Sequence, residues 1–273
     1  MKNNKVKLKT VDGFSISGIH SVSESTTVIL WLHGITVNKN EYLNLFKDGA
    51  EFLGNYGVDS LRIDFRGHGE SNGKSTDFTI IGQMIDIDSA ILYLQDYYKS
   101  KKMNLHIVSC SFGAPPSIFT AFLHPEIVKS ITMIAPVLSY QRTFIKPETE
   151  WATSIFNLKT ISKLYKTGKL YINNKFPIGI TLFKEMQLIQ PELFIGQINH
   201  KVTIIHGDSD TMVPYNVSKD LSMKYNNINL ITIKEMDHGF NDLNDEIGNS
   251  EASMNNKQYI YNIIKANVIN EEV

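Results

Sequence analysis

The run Leu105-His-Ile-Val-Ser109, the pair Cys110-Ser111 and the run Phe112-Gly-Ala-Pro-Pro-Ser-Ile-Phe-Thr-Ala-Phe-Leu123 decide the fold. The first is short and apolar and reads as a buried strand; the last has helical length and predicts a helix over 112–123. A strand that passes into a helix within two residues must turn sharply, and such a turn lifts the residue at its apex above the sheet edge. Ser111 stands at that apex. The backbone folds tightly there, so the positions two before and two after it must be small. They are Ser109 and Gly113, with Ala114 next. Ser111 is therefore a candidate nucleophile, with plain capping of the following helix as the alternative. Cys110 takes the variable position of the turn and reads as a buried small side chain.

On either side of this turn, apolar strands alternate with amphipathic helices. Strands are predicted at Val6–Leu8 and Ser15–His20 around the Asp12-Gly13 turn, then at Val28–Leu32, Ser60–Phe65, Val128–Ala135, Val202–Ile205 and Leu230–Ile233. Helices are predicted at Glu41–Asn55, Ile80–Tyr98, Tyr215–Tyr225 and Lys257–Val268. Such alternation implies right-handed crossovers and a mostly parallel central sheet flanked by helices. It stops between Tyr140 and Phe194, where Pro147, Pro177 and Pro191 punctuate a helical or irregular stretch. A loop of that length is improbable inside a compact domain, so an inserted helical cap or lid is expected. This divides the chain into a core, 1–138 and 196–273, and a cap, 139–195.

A serine hydroxyl needs a base, and the base needs an orienting partner. His238, in Glu235-Met-Asp-His-Gly-Phe240, lies between the last strand and the last helix, where it can reach the Ser111 turn across the sheet edge. The preceding strand ends in His206-Gly-Asp-Ser-Asp-Thr-Met-Val-Pro214. Of its two aspartates, Asp210 lies further beyond the strand end and is chosen as the partner of His238, while Asp208 reads as a turn residue. The chain order Ser111, Asp210, His238 is the one expected of this topology. An attacked carbonyl becomes an oxyanion, which needs backbone N–H groups already in place. Phe112, after the nucleophile, supplies one, and Ile35, after the early strand in His33-Gly34-Ile35-Thr36, the other. His33 reads as a structural residue that bonds loop backbone.

With Asp64-Phe-Arg-Gly-His-Gly-Glu-Ser71 these motifs resemble the α/β-hydrolase superfamily over nearly the whole chain, and within it small bacterial esterases of the cinnamoyl and feruloyl esterase-like group. Ile35 stands where that group has phenylalanine, and Ser109-Cys110 where it has Gly-His. The resemblance implies the α/β-hydrolase fold with a cap, and ester cleavage through a Ser111 acyl-enzyme without metal or organic cofactor. His238 would act as general acid and base, and Asp210 would orient it.

Composition narrows the partners. With 273 residues and a formal charge of -1, no bulk field favours nucleic acid. One cysteine excludes an internal disulfide and fits a reducing compartment, and no stretch suits a signal peptide or a membrane span, so a cytoplasmic location is expected. The segment from Tyr140 to Phe194 holds seven lysines and one arginine against four glutamates, net +4. A solvated helical face is one reading of it; a docking surface for an acidic acyl-carrier protein is another. A small-molecule acyl ester is the expected substrate. Thioester hydrolysis or acyl transfer, aminopeptidase-like cleavage and ligand binding without catalysis are the alternatives.

Overall fold

Residues 1–242, 245 and 247–269 are described by the computed structural model. The alternation of Val6 and Leu8 with exposed lysines builds an edge strand, β1 (Lys2–Lys9), which pairs antiparallel with β2 (Ser15–Val22). Exposed Lys5, Lys7 and Lys9 guard the open edge against pairing with other chains. The more apolar runs become the interior strands β3 (Thr27–Leu32), β4 (Asp59–Ile63), β5 (Asn104–Cys110), β6 (Val128–Ile134) and β9 (Lys201–Gly207), and β10 (Ile228–Ile233) forms the far edge. The sheet order is β1-β2-β4-β3-β5-β6-β9-β10, parallel from β4 onward.

Side chains alternate across this sheet into two cores. Ile29 and Trp31 of β3, Val108 of β5, Ile134 of β6 and Ile205 of β9 pack on one face against α1 (Leu45–Gly54) and the closing helix α9 (Glu251–Ile269). Val28, Leu30, Leu32, Ile107, Met133 and Ile204 face the other way, toward α2 (Ile80–Tyr97), α3 (Ala114–Leu123) and α8 (Tyr215–Lys224). This is the mostly parallel, helix-flanked sheet the alternation predicts. Predicted element ends agree within two residues except at α9, which starts six residues earlier, at β1, which starts four earlier, and at α1, which starts four later.

The late start of α1 has a local cause. Glu41, Leu43 and Asn44 have positive φ, and the chain makes a short 3₁₀ turn over Tyr42–Asn44 before α1 begins. The apolar periodicity does not register this detour.

Between β6 and β9 the chain leaves the sheet for residues 135–200. It forms α4 (Glu150–Ile155), α5 (Leu158–Thr167), α6 (Ile180–Leu188) and α7 (Pro191–Phe194). Beyond the helical or irregular stretch expected, it also holds a hairpin, β7 (Lys169–Ile172) with β8 (Phe176–Gly179). Its alternation is masked because each strand has only four residues and Pro177 interrupts the second. Buried side chains of the excursion join the core on the α2–α3 face. Glu185 of α6 accepts the Ile80 N–H at the start of α2, 2.5 Å away.

The Asp64–Ser71 motif explains itself as scaffolding. Asp64 is fully buried and accepts from Lys39 Nζ at 2.6 Å, Lys39 N at 2.7 Å and Glu70 N at 2.9 Å, tying the loop after β4 to the loop after β3. A buried carboxylate and ammonium stabilise one another only as a pair. Asp64→Ala, which leaves Lys39 only the exposed Glu70 carboxylate, 2.9 Å away, and removes the acceptor of two backbone amides, is expected to lower unfolding stability by about 3–5 kcal/mol. Urea denaturation followed by far-UV circular dichroism checks this, and a loss under about 1 kcal/mol contradicts the pairing argument.

Candidate active site

All the loops that leave the C-terminal ends of β3, β5, β9 and β10 meet at one edge of the sheet, as parallel topology requires. At the end of β5 the chain turns through Ser111, whose φ is +50°, into a single 3₁₀ turn and then α3. Gly113 makes this turn possible: a Cβ there would lie 2.3 Å from the Leu32 carbonyl oxygen of β3. Ser109, the departure from glycine on the other flank, fits because its buried hydroxyl bonds Ser117 Oγ at 3.1 Å. Pro115 and Pro116 fall in the first turn of α3, where a missing N–H costs no helical bond.

His238 Nε2 lies 3.1 Å from Ser111 Oγ, and His238 Nδ1 lies 2.7 Å from Asp210 Oδ2. An ionised Asp210 makes Nδ1 the donor and leaves the Nε2 lone pair facing the serine hydroxyl. Asp210 is fully buried. Its Oδ1 accepts from Met212 N and Val213 N, both at 2.8 Å, and its Oδ2 also accepts from His206 Nε2 at 3.1 Å. His206 is in turn held by Ser218 Oγ, 2.8 Å from its Nδ1. Burial alone would raise the Asp210 carboxyl; the His238 charge and the bonds from both histidines outweigh it and hold the group below the usual carboxylate range. Burial lowers the His238 imidazole, yet the Asp210 charge and hydrogen bond, helped by Glu41 and Asp237, leave it raised above its usual 6.5.

The other aspartate of the loop does something different. Asp208 is exposed, accepts from Glu235 N at 2.8 Å and from Ser209 Oγ, and ties the two loops together without touching His238. Cys110, on the α1–α9 face, is buried as a thiol, pushed up by burial and by the Glu41 and Asp210 carboxylates. His33 is structural: its Nε2 accepts Phe65 N–H at 2.9 Å, its Nδ1 donates to the Gly34 carbonyl at 2.6 Å, and burial lowers it to about 4.

Neither the Ile35 nor the Phe112 N–H has an acceptor among the described residues. Gly34 lies so near the nucleophile that a Cβ on it would be 3.1 Å from Ser111 Cβ, which brings this loop beside the serine. The site opens on a cavity of about 440 Å³ lined by Ser111, His238, the 34–37 loop, and Phe144, Trp151 and Ile172 of the excursion. Glu41 and His206 are the residues that sequence reading passed over. Glu41 was hidden as a helix start, and His206 as the first letter of the His-Gly pair that precedes Asp210. Among the described residues no group of histidine, cysteine, aspartate and glutamate is arranged to hold a metal ion, and no helix is long and apolar enough to cross a membrane.

The model of the serine aminopeptidase S33 family matches residues 23–178, more than half of the chain. The chain belongs to this family of α/β hydrolases and is an enzyme of the serine hydrolase type. The ferulic-acid-bound esterase Est1E of Butyrivibrio proteoclasticus superposes with a TM-score of 0.73 at 22% identity, over 95% of this chain and 99% of that one. A putative hydrolase of Agrobacterium vitis gives 0.76 at 16% identity, over 98% of each chain. An esterase of Pyrococcus furiosus gives 0.64 at 21%, over 87% and 82%. These likenesses establish the α/β-hydrolase fold. A probable alcohol acetyltransferase of Cyberlindnera fabianii is 24% identical over 197 residues, which are 66% of this chain and span only half the length of that protein.

Two outcomes follow from the geometry. Asp210→Asn removes the acceptor that fixes the His238 tautomer and is expected to lower kcat by about 10⁴-fold, against less than about tenfold for Asp208→Asn. Steady-state kinetics of the two variants decides, and the reverse order would exchange the aspartates. A base with a raised pKa is protonated, and idle, over more of the acid range. The acid limb of the kcat/KM profile should therefore rise through a midpoint above 6.5; a midpoint below it contradicts the Asp210–His238 pairing.

Proposed function

We propose that the protein hydrolyses carboxylic esters through an acyl-enzyme on Ser111, with His238 as general acid and base and Asp210 as its orienting group. The observation that carries this is the unbroken chain from Ser111 Oγ through the His238 ring to the Asp210 carboxylate, with the unbonded amides of Ile35, on the cavity wall, and of Phe112, next to Ser111. Ser111 Oγ adds to the ester carbonyl while His238 Nε2 takes its proton, and the oxyanion accepts from the Ile35 and Phe112 N–H groups. Collapse of the adduct breaks the ester C–O bond, and His238 gives the proton to the leaving alkoxide. Water then adds to the acyl-serine with His238 again as base, and the carboxylic acid leaves as Ser111 regains its proton.

In this reading residues 139–195 act as a cap. Phe144, Trp151 and Ile172 give the cavity an apolar wall that suits a neutral acyl or alcohol group. The same acyl-enzyme serves acyl transfer when an alcohol or thiol replaces water. The apolar wall and the alcohol acetyltransferase relative support that second reading, and the exposed lysines of the cap, Lys159, Lys163, Lys166, Lys169, Lys175 and Lys184, support an acidic carrier as acyl donor. Peptidase action on a free amino terminus is less well supported: Glu41 and Asp237, the carboxylates on the cavity wall, already accept backbone amides.

Treatment with a fluorophosphonate probe should phosphonylate Ser111, as located by peptide mass spectrometry, and Ser111→Ala should abolish both labelling and turnover of short-chain nitrophenyl esters without unfolding the protein. Turnover retained in Ser111→Ala, with contamination excluded, defeats the assignment. Ester hydrolysis that gives way to ester exchange when alcohol is added would favour the transfer reading.

A further inference from the structure

We propose that Glu41 is a positioning residue for the oxyanion loop: its buried carboxylate fixes the Gly34 peptide and thereby sets the direction of the Ile35 N–H. The inference rests on the acyl-enzyme reading and extends it to a residue outside the triad.

Gly34 is the weak point of the loop. The nearness of Ser111 excludes a side chain there, and a glycine left to itself samples widely different backbone conformations. Two planar peptide units flank its Cα. The first ends in the Gly34 N–H, which donates to Glu41 Oε2 at 2.7 Å. The second holds the Gly34 carbonyl and the Ile35 N–H in one plane, pointing opposite ways. His33 Nδ1–H holds that carbonyl at 2.6 Å, and His33 is itself anchored by Phe65 N–H. With both units held, φ and ψ of Gly34 have no freedom left. One residue on, the Thr36 N–H meets His68 Nε2 at 3.4 Å. Of three consecutive amides, 34 and 36 are thus engaged and Ile35 alone remains to donate.

The placement of Glu41 is costly, which argues that it is not incidental. It lies at φ 61° and ψ 174°, a region that residues other than glycine rarely occupy. The residue is only 9% exposed, and its carboxylate has no lysine or arginine partner among the described residues. Its hydrogen bonds go instead to Gly34 N, to Tyr42 N at 3.0 Å and to the Cys110 thiol. A residue needed only to start the 3₁₀ turn would bond Tyr42 N–H from the surface, as an aspartate or serine does. Reaching back into the site serves the Gly34 amide.

The test compares Glu41→Ala and Glu41→Gln with the wild-type protein. Glu41→Ala should lower kcat by about 100-fold, the effect of disabling one oxyanion donor, with KM within about threefold. The affinity of an alkyl boronic acid, which adds to Ser111 as a tetrahedral adduct, should fall by the same factor as kcat/KM. Affinity for the trigonal product acid should stay unchanged. Amide hydrogen exchange of residues 34–36 should quicken while exchange in β3 and β5 does not. Glu41→Gln keeps one acceptor oxygen and should recover most of the lost activity; it also decides the matter if the alanine variant fails to fold. Wild-type kcat, boronate affinity and loop exchange in a folded Glu41→Ala overturn the proposal, as does equal weakening of boronate and product. Should Ser111→Ala retain turnover, the acyl-enzyme reading fails and the role of Glu41 falls with it. Dependence on Ser111 with indifference to Glu41 overturns the second alone.

Discussion

The close approach of Gly113 to the last carbonyl of β3 is the constraint on which the site depends. Because no side chain stands between them, α3 begins directly against the end of the neighbouring strand, within 2.3 Å of a Cβ position. Ser111 then has to take a positive φ to connect β5 to that helix. The loop that leaves β3 is forced alongside it, where Gly34 again has no room for a side chain. Two glycines on adjacent strands thus bring a hydroxyl and a row of amides together, and the parallel ladder between β3 and β5 holds them in register. Larger residues at either position would separate the groups before any chemistry began.

Burial then determines which groups carry charge. Asp210 lies in a setting where an isolated carboxylate would take up a proton, and it stays ionised because two imidazoles and two backbone amides donate to it. That fixed charge selects the His238 tautomer and raises its affinity for a proton. His206 plays a different part: the ionised Asp210 can only accept, so His206 Nε2–H donates to it, and the neutral ring's Nδ1 accepts from the Ser218 hydroxyl. Three titratable groups in contact are thereby given separate duties by their hydrogen-bond partners. The Asp64–Lys39 pair acts in a similar way beneath the other loop, where it joins the turns after β3 and β4.

Much of this can be read from the chain. The strands are legible because buried parallel strands are apolar on both faces, and helices because their apolar positions recur on one face. The meeting of Ser111, Asp210 and His238 is legible because loops at the carboxyl ends of parallel strands must converge, so position relative to a strand is nearly position in space. That Asp210 rather than Asp208 meets His238 follows from distance beyond the strand end: Asp208 reaches only the Glu235 amide at the start of the β10 loop, and Asp210 reaches the imidazole three residues further on. The β7–β8 hairpin is not legible: four-residue strands, one with a proline, fall below what alternation can mark. Nor is Glu41. Its sequence neighbourhood is that of a helix start, and its function depends on a contact with Gly34, seven residues earlier, through a backbone conformation that no periodicity announces.

Strain shows the same division between frame and site. Among the described residues eleven non-glycine positions have positive φ, and five of them, Thr36, Glu41, Ser111, Asn173 and Phe240, line the cavity. Such conformations persist only where surrounding bonds over-determine them. Here the surroundings are strand ends, whose ladders cannot shift by a fraction of a residue. Thr36 is the sharpest case, since a β-branched residue resists positive φ most, and it is held there by His68, whose ring packs on Phe176 of the inserted hairpin. The excursion therefore does more than line the cavity. Through Phe176 and His68 it is in contact with the loop that carries the Ile35 amide, so the hairpin is part of what holds Thr36 at its positive φ.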